Sequence, residues 1–223
     1  MLSKWIGAII SALLLAPMAA RADIIDGSFT GTISPSGFDY TGVFGPSNTD
    51  LTGDTIAGTF SYNTALLSQS ISGGQDTATG SPGALTVTIA INGISHTFTD
   101  PTSSSVYIDD GSSSGLSELT LQNTNTSGNL NESFSLDISD GATPFVLGGD
   151  NLDQSLNITP GPFTSVTGLF DIQDPGVGAS GGFTITALTS ADTSSVPEPA
   201  GMAVLAMGLI GLAGARARKT RGA

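Results

Sequence analysis

The sequence predicts an all-β domain, and three observations lead to that prediction. Short segments alternate between apolar and polar residues, with Gly, Pro, Asn and Asp between them, which is the pattern of half-buried strands. Thr and Ser fill the outward positions and favour strands over helices. No central stretch repeats every 3.6 residues. We expect a single antiparallel β-sandwich of jelly-roll or immunoglobulin-like type, with a right-handed β-solenoid as the alternative.

Three segments show the alternation most clearly. They read TIAGTFSYN, SFSLDIS and GGFTITALT in chain order. Because successive side chains of a strand point to opposite faces, every second residue should face the core. The residues expected on that face are Ile56, Gly58, Phe60 and Tyr62 in the first segment, Phe134, Leu136 and Ile138 in the second, and Phe183, Ile185 and Ala187 in the third.

The segment ALTVTIAINGISHTFT predicts a β-hairpin around Asn92-Gly93, because this dipeptide favours a two-residue hairpin turn. The expected cross-strand pairs are Ile91 with Ile94, Ile89 with His96, and Val87 with Phe98. This register places His96, the only histidine, on the apolar face at the rim of the core. A role as general base or metal ligand is the weaker alternative.

The charge of residues 23–196 excludes several functions. Eighteen of the nineteen acidic residues lie there and no Lys or Arg does, so the formal charge of this region is −18. Such a surface cannot neutralise nucleic-acid phosphates or clamp an anionic substrate. Without cysteine, the stability of an exported chain must come from its core. Disorder is the alternative for a chain of this charge and low complexity.

Calcium is the one cofactor that the sequence suggests, because carboxylates cluster beside glycines. Ordinary turn chemistry explains the same residues equally simply, and no cluster has the full EF-hand spacing. The candidate ligands are Asp109 and Asp110, Asp137 and Asp140, and Asp150 and Asp153.

No catalytic constellation stands out. The chain lacks a G-x-S-x-G motif, and eighteen acids select no particular pair for glycoside hydrolysis. We therefore expect a non-enzymatic surface or matrix protein. A carbohydrate-binding module is the alternative, although residues 23–196 contain only three Tyr and no Trp. A secreted hydrolase ranks last.

The amino terminus predicts a signal peptide over residues 1–22. Lys4 is followed by a short apolar run and by Ala20-Arg21-Ala22, the order found in secretory leaders. The β-domain should occupy residues 23–191, with a polar linker over 192–196.

The carboxyl terminus has three consecutive parts. Pro197-Glu198-Pro199 precedes the uncharged, mainly apolar residues 200–215, and Arg216, Arg218 and further bases follow. The apolar part predicts a transmembrane helix, and the basic residues should keep its end in the cytoplasm.

This arrangement resembles the PEP-CTERM sorting signal of Gram-negative bacteria, here over residues 197–221. The resemblance implies processing by an exosortase, an integral-membrane transpeptidase-like enzyme. It also implies membrane anchoring before processing, delivery to the cell surface or an extracellular matrix, and association with exopolysaccharide. The central segments are similar to other secreted β-domains attached to such signals, for which the resemblance implies no activity.

Overall fold

The fold is described here from a computed structural model. The described residues are 24–72, 75–80, 83–98, 102–110, 117–127, 130–141, 147, 152, 154–162, 164–173 and 178–193. They form fourteen strands: β1 (Ile24–Ile33), β2 (Phe38–Asp39), β3 (Thr49–Asp50), β4 (Thr55–Asn63), β5 (Leu67–Ser72), β6 (Gln75–Gly80), β7 (Leu85–Ile91), β8 (Ile94–Phe98), β9 (Ser103–Asp110), β10 (Ser117–Ser127), β11 (Leu130–Asp140), β12 (Leu156–Ile158), β13 (Thr164–Gln173) and β14 (Ala179–Asp192). One 3₁₀ turn, Thr64–Leu66, joins β4 to β5.

The strands join one continuous antiparallel sheet, so the all-β prediction is confirmed. The main order is β5-β6-β9-β10-β11-β13-β14-β1-β4-β7-β8, and β2, β3 and β12 attach near β14. All described strand pairs are antiparallel, which does not fit the β-solenoid alternative. Hydrogen bonding runs unbroken between the two edge strands, so the strands do not divide into two separate sheets. The jelly-roll or immunoglobulin-like type of sandwich therefore stays a prediction.

The sheet curls so that its own two halves enclose the core. The ring of Phe134 on β11 lies 5.5 Å from that of Phe98 on β8 and 6.1 Å from that of Phe29 on β1. Across the same interior, the Asn123 amide donates to the carbonyl of Leu85 over 3.1 Å. The apolar faces of these strands are therefore buried against another part of the same sheet.

The hairpin prediction is confirmed in every pair. Ile91 lies opposite Ile94, Ile89 opposite His96, and Val87 opposite Phe98. Asn92 and Gly93 have φ angles of 54° and 78°, the left-handed values that a type I′ turn needs at both positions.

The predicted core faces are confirmed in β4 and β11 and wrong at one position of β14. Ile56, Phe60, Phe134 and their alternating neighbours face the interior. In β14, Phe183 and Ile185 are buried, but Ala187 is exposed and Leu188 is buried instead. The reason is a β-bulge at Thr186, which is left between the pairs Gly31–Ile185 and Thr30–Ala187. This extra residue shifts the register by one and reverses the alternation beyond it.

Among the described residues, glycine lies opposite phenylalanine at four positions of the sheet, and Gly181 with Phe170 is the least crowded of them. The other three pairs are Gly27 with Phe60, Gly58 with Phe29, and Gly168 with Phe183. In these three pairs each ring lies over its glycine so closely that an added Cβ would come within 2.1 or 2.2 Å of it. The glycines are required here by close approach, since any larger residue would displace a core ring.

Several terminal predictions fall on residues that are not described. The signal peptide at 1–22, residues 194–196 of the predicted linker and the helix at 200–215 lie outside the described ranges, whereas Asp192, predicted as the first linker residue, belongs to β14. Within those ranges, no helix has the length and apolar character needed to cross a bilayer. Residues 22–194 group as one compact unit, and Thr193 binds the Ile24 carbonyl through its backbone N–H and its hydroxyl.

Candidate functional site

Of the predicted calcium ligands, Asp137 and Asp140 are both described, and they do not converge. Asp137 faces outward, opposite Thr120, whereas Asp140 lies on the core face, where it is fully buried and accepts a hydrogen bond from the Thr164 hydroxyl over 2.8 Å. Neighbours at odd spacing in one strand point to opposite faces. This carboxylate pair therefore cannot hold one ion together.

Of the second predicted pair, the structure describes the side chain of Asp109 alone. Asp109 is buried and lies opposite Glu118, while Asp110 pairs through its backbone with Ser117. Within the described part of the chain, no three acidic or histidine side chains gather closely enough to hold a metal. Asp150 and Asp153 lie outside the described ranges, so their calcium binding stays a prediction.

Acidic neighbours and burial affect Tyr107 on β9. Its hydroxyl lies 3.4 Å from a carboxylate oxygen of Asp109. Burial, followed by the negative charges of Asp109 and Glu118, raises the pKa of Tyr107 above its ordinary value of 10.0. A phenolate at this position would be poorly solvated and repelled.

We expect this arrangement to weaken the fold in alkali. In the unfolded chain Tyr107 loses its proton near pH 10, whereas in the folded chain it holds the proton to higher pH. Stability is therefore retained below pH 10 and falls as the pH rises above it. Denaturant unfolding at pH 8 to 11 should show a shallower alkaline decline for Tyr107→Phe than for the wild type. An unchanged decline would contradict this, and Tyr40→Phe is the control.

His96 and Glu132 form the one close histidine–carboxylate pair found among the described residues. The prediction that His96 lies at the rim of the apolar core is confirmed: it is partly buried between the rings of Phe44 and Phe98. Its Nε2 lies 3.0 Å from Oε1 of the buried Glu132, without the linear geometry of a hydrogen bond. The two side chains are therefore close neighbours at the rim of the core.

Sequence reasoning missed Glu132 as a core residue. The signal was present, because the alternation through Phe134 and Leu136 extends back by two residues to Glu132. Glu132 lies directly opposite Asn125, which is also buried. Glu132 and Asn125 therefore add to the polar side chains, such as Asn123, that lie inside the core.

Asp39 organises the loop that follows β2. One carboxylate oxygen accepts backbone N–H groups from Thr41, Gly42 and Val43 at 2.7–3.2 Å, and the other accepts that of Phe44 at 2.7 Å. The side chain is completely buried. Successive backbone N–H groups that converge on one anion form a nest. In this loop the anion is the carboxylate of Asp39 itself.

The outer surface of five neighbouring strands is rich in hydroxyl groups. We call it the hydroxyl face; it comprises Ser28, Thr30, Thr59, Ser61, Thr86, Thr88, Ser95, Thr97, Thr186 and Thr189. One complete row crosses β14, β1, β4, β7 and β8, in the order Thr189, Ser28, Thr59, Thr88 and Thr97. Rows of this kind place hydroxyl groups about 4.8 Å apart, which makes the surface a regular array of donors and acceptors.

Hydrogen bonds between these hydroxyl groups order the array. Ser28 bonds to Thr189 over 3.1 Å, and Thr88 bonds to Thr97 over 2.9 Å. A groove of about 280 Å³ opens on the same surface; it is lined by Asp26, Gly27, Thr59, Phe60, Ser61, Thr86 and Thr88. The face therefore combines a regular polar lattice with a shallow depression.

Comparison with known proteins identifies a different region. Residues 195–219 match the family model of the PEP-CTERM protein-sorting motif. The chain carries a PEP-CTERM sorting motif. No curated protein and no solved structure matches the chain.

The PEP-CTERM match confirms the resemblance seen in the sequence. The matched range includes Pro197, Glu198, Pro199, Arg216 and Arg218, none of which is among the described residues. The motif marks the chain as an exported substrate of an exosortase-type enzyme, anchored in the membrane before processing.

Proposed function

We propose that this PEP-CTERM protein is a non-enzymatic component of the cell surface or extracellular matrix that associates with exopolysaccharide through its hydroxyl face. The sorting motif supports delivery outside the cell. The ordered hydroxyl row across five strands is the observation that carries the proposed contact, since each hydroxyl can both donate to and accept from a sugar. A carbohydrate-binding module with a defined stoichiometry is the second candidate, favoured by the groove on this face.

Removing hydroxyl groups from the face should weaken polysaccharide binding. In Thr59→Val/Thr88→Val the branched shape is kept and two hydroxyl groups are lost. At about 1 kcal/mol for each lost hydrogen bond, we expect roughly tenfold to thirtyfold weaker binding of the full-length protein, in detergent, to purified exopolysaccharide. The matched control is Thr120→Val/Thr167→Val, on the outer surface of β10 and β13.

Four outcomes separate the candidates. Weaker binding in the first variant alone supports the hydroxyl face, and saturable binding of a defined oligosaccharide favours the module. If both variants bind like the wild type, this face is not the contact surface. Turnover of a glycan or ester panel that is lost on changing one Asp would overturn the non-enzymatic proposal.

The sorting step has its own expected result. Replacing Pro197, Glu198 and Pro199 by alanine should leave the protein in the inner membrane, because the motif that the processing enzyme recognises is lost. Cell fractionation with surface labelling measures this directly, and Ser194→Ala, just before the matched range, is the control. Surface display of the triple variant at the wild-type level would refute the sorting role of these residues.

A further inference from the structure

The exposed ring of Tyr40 stands beside the partly buried ring of Phe38 at one side of the sheet. Tyr40 is 45% exposed, and its ring centroid lies 4.4 Å from that of Phe38. Large exposed apolar side chains are few among the described residues, and the Tyr40 ring, which is tilted by 42° against that of Phe38, forms with it a larger apolar surface than either ring alone. Such a surface gains free energy when another apolar surface covers it.

The backbone beneath these rings is held from both sides. The Tyr40 N–H donates to the Gly178 carbonyl over 3.1 Å, and Phe38 pairs with Ser180 on β14. Immediately after Tyr40, the loop is fixed by its hydrogen bonds to Asp39. A rigid aromatic surface loses little conformational freedom when a ligand binds, unlike an exposed ring on a mobile loop.

A carboxylate stands beside the rings. Asp50 on β3 lies directly opposite Phe38, and directly opposed residues of an antiparallel pair bring their Cβ atoms to about 5 Å. Asp50 is exposed and accepts the Thr52 N–H over 2.9 Å. Hydrogen bonds from the Thr52 side chain and backbone lower the pKa of Asp50. The carboxylate therefore stays ionised and available as an acceptor at neutral pH.

The charge of the chain narrows the class of ligand. Residues 23–196 carry eighteen acidic and no basic residues, so an anionic sugar such as a uronate would be repelled. An uncharged pyranose offers C–H groups to the aromatic face and hydroxyl donors to Asp50. An amino sugar adds an ammonium group, which is attracted both by the carboxylate and by the ring faces.

We propose that Phe38, Tyr40 and Asp50 form a binding subsite for the pyranose ring of an uncharged or amino sugar, with Asp50 favouring the amino sugar. The inference rests on the proposed association with polysaccharide and names the sugar chemistry that the protein would select. It places this selectivity at β2 and β3, while the hydroxyl face supplies unselective contact.

The test compares three soluble probes: cello-oligosaccharide as the neutral sugar, chitosan oligosaccharide as the amino sugar and oligogalacturonate as the acidic sugar. Titration calorimetry on the full-length protein in detergent should show the order amino, neutral, acidic in falling affinity. Tyr40→Ala should weaken binding of the first two about fivefold to tenfold, and Tyr40→Phe should retain it. Asp50→Asn should reduce the preference for the amino sugar over the neutral one.

Leu169→Ala is the matched control, because Leu169 on β13 is 62% exposed and does not belong to the subsite. Melting temperatures verify that each variant folds. Equal affinities of wild type, Tyr40→Ala and Asp50→Asn would overturn the subsite, and so would tightest binding of oligogalacturonate. If the wild type still binds exopolysaccharide through the hydroxyl face, only the subsite fails; if it binds neither polymer nor oligosaccharide, the proposed function fails as well.

Discussion

Replacing Phe29 by alanine is expected to destabilise the domain by about 3–5 kcal/mol. The ring is 2% exposed, covers Gly58 and stacks 5.7 Å from Phe183 and 6.1 Å from Phe134. Its loss removes buried apolar area and leaves a cavity that the neighbouring rings cannot fill without shifting. Urea unfolding followed by circular dichroism measures the change in the free energy of unfolding.

Two further variants make this result specific. Phe29→Leu retains most of the apolar volume and should cost much less, although it uncovers part of Gly58. Thr30→Ala changes the exposed neighbour in the same strand and should alter stability by no more than about 0.5 kcal/mol. A loss under 1 kcal/mol in Phe29→Ala would contradict the central position of this ring in the core.

Replacing Asp39 by alanine is expected to cost about 3–5 kcal/mol, because it leaves four backbone N–H groups without their acceptor. In Asp39→Asn one side-chain oxygen still accepts hydrogen bonds, but the new NH₂ group faces a backbone N–H donor. We therefore expect an intermediate loss of stability. Thermal and urea unfolding of both variants provide the measurement.

Asp50→Asn is the matched control for Asp39. Asp50 also accepts a backbone N–H in a turn, but it is exposed, so water can replace the lost interaction and the loss of stability should be much smaller than at Asp39. Equal losses of stability in the Asp39 and Asp50 variants would contradict the proposed contribution of the buried nest. Since loop residues 41–44 lead directly from Tyr40, Asp39→Asn should also weaken sugar binding if the proposed subsite depends on that loop.

Local features of the fold were predictable because they depend on neighbouring residues. Asn92-Gly93 determines a turn type and therefore a register, and the alternation around Phe60 and Phe134 follows from strand geometry. The bulge at Thr186 was not predictable, because its extra residue is specified by the partner strand β1, distant in sequence. The continuity of the sheet depends on the same kind of long-range pairing.

The candidate sites show the same division. Clusters of Asp in sequence suggested calcium, but alternation sends Asp137 and Asp140 to opposite faces. The hydroxyl row combines single residues from five strands, and the Phe38–Asp50 pairing joins two strands separated by a loop. Such juxtapositions appear only once the strand order is known. Asp39 gave no signal of its own, because a buried aspartate has the same letter in the sequence as an exposed one.

The Gly–Phe pairs between β1 and β4 have a consequence for how the chain finds its register during folding. In the native alignment Gly27 meets Phe60 and Phe29 meets Gly58. A slip of two residues, which would keep the apolar faces aligned, places Phe29 against Phe60 in one direction and Gly27 against Gly58 in the other. The first crowds two rings and the second leaves a gap. An exported chain without disulfides thus contains its own means of rejecting misaligned strands.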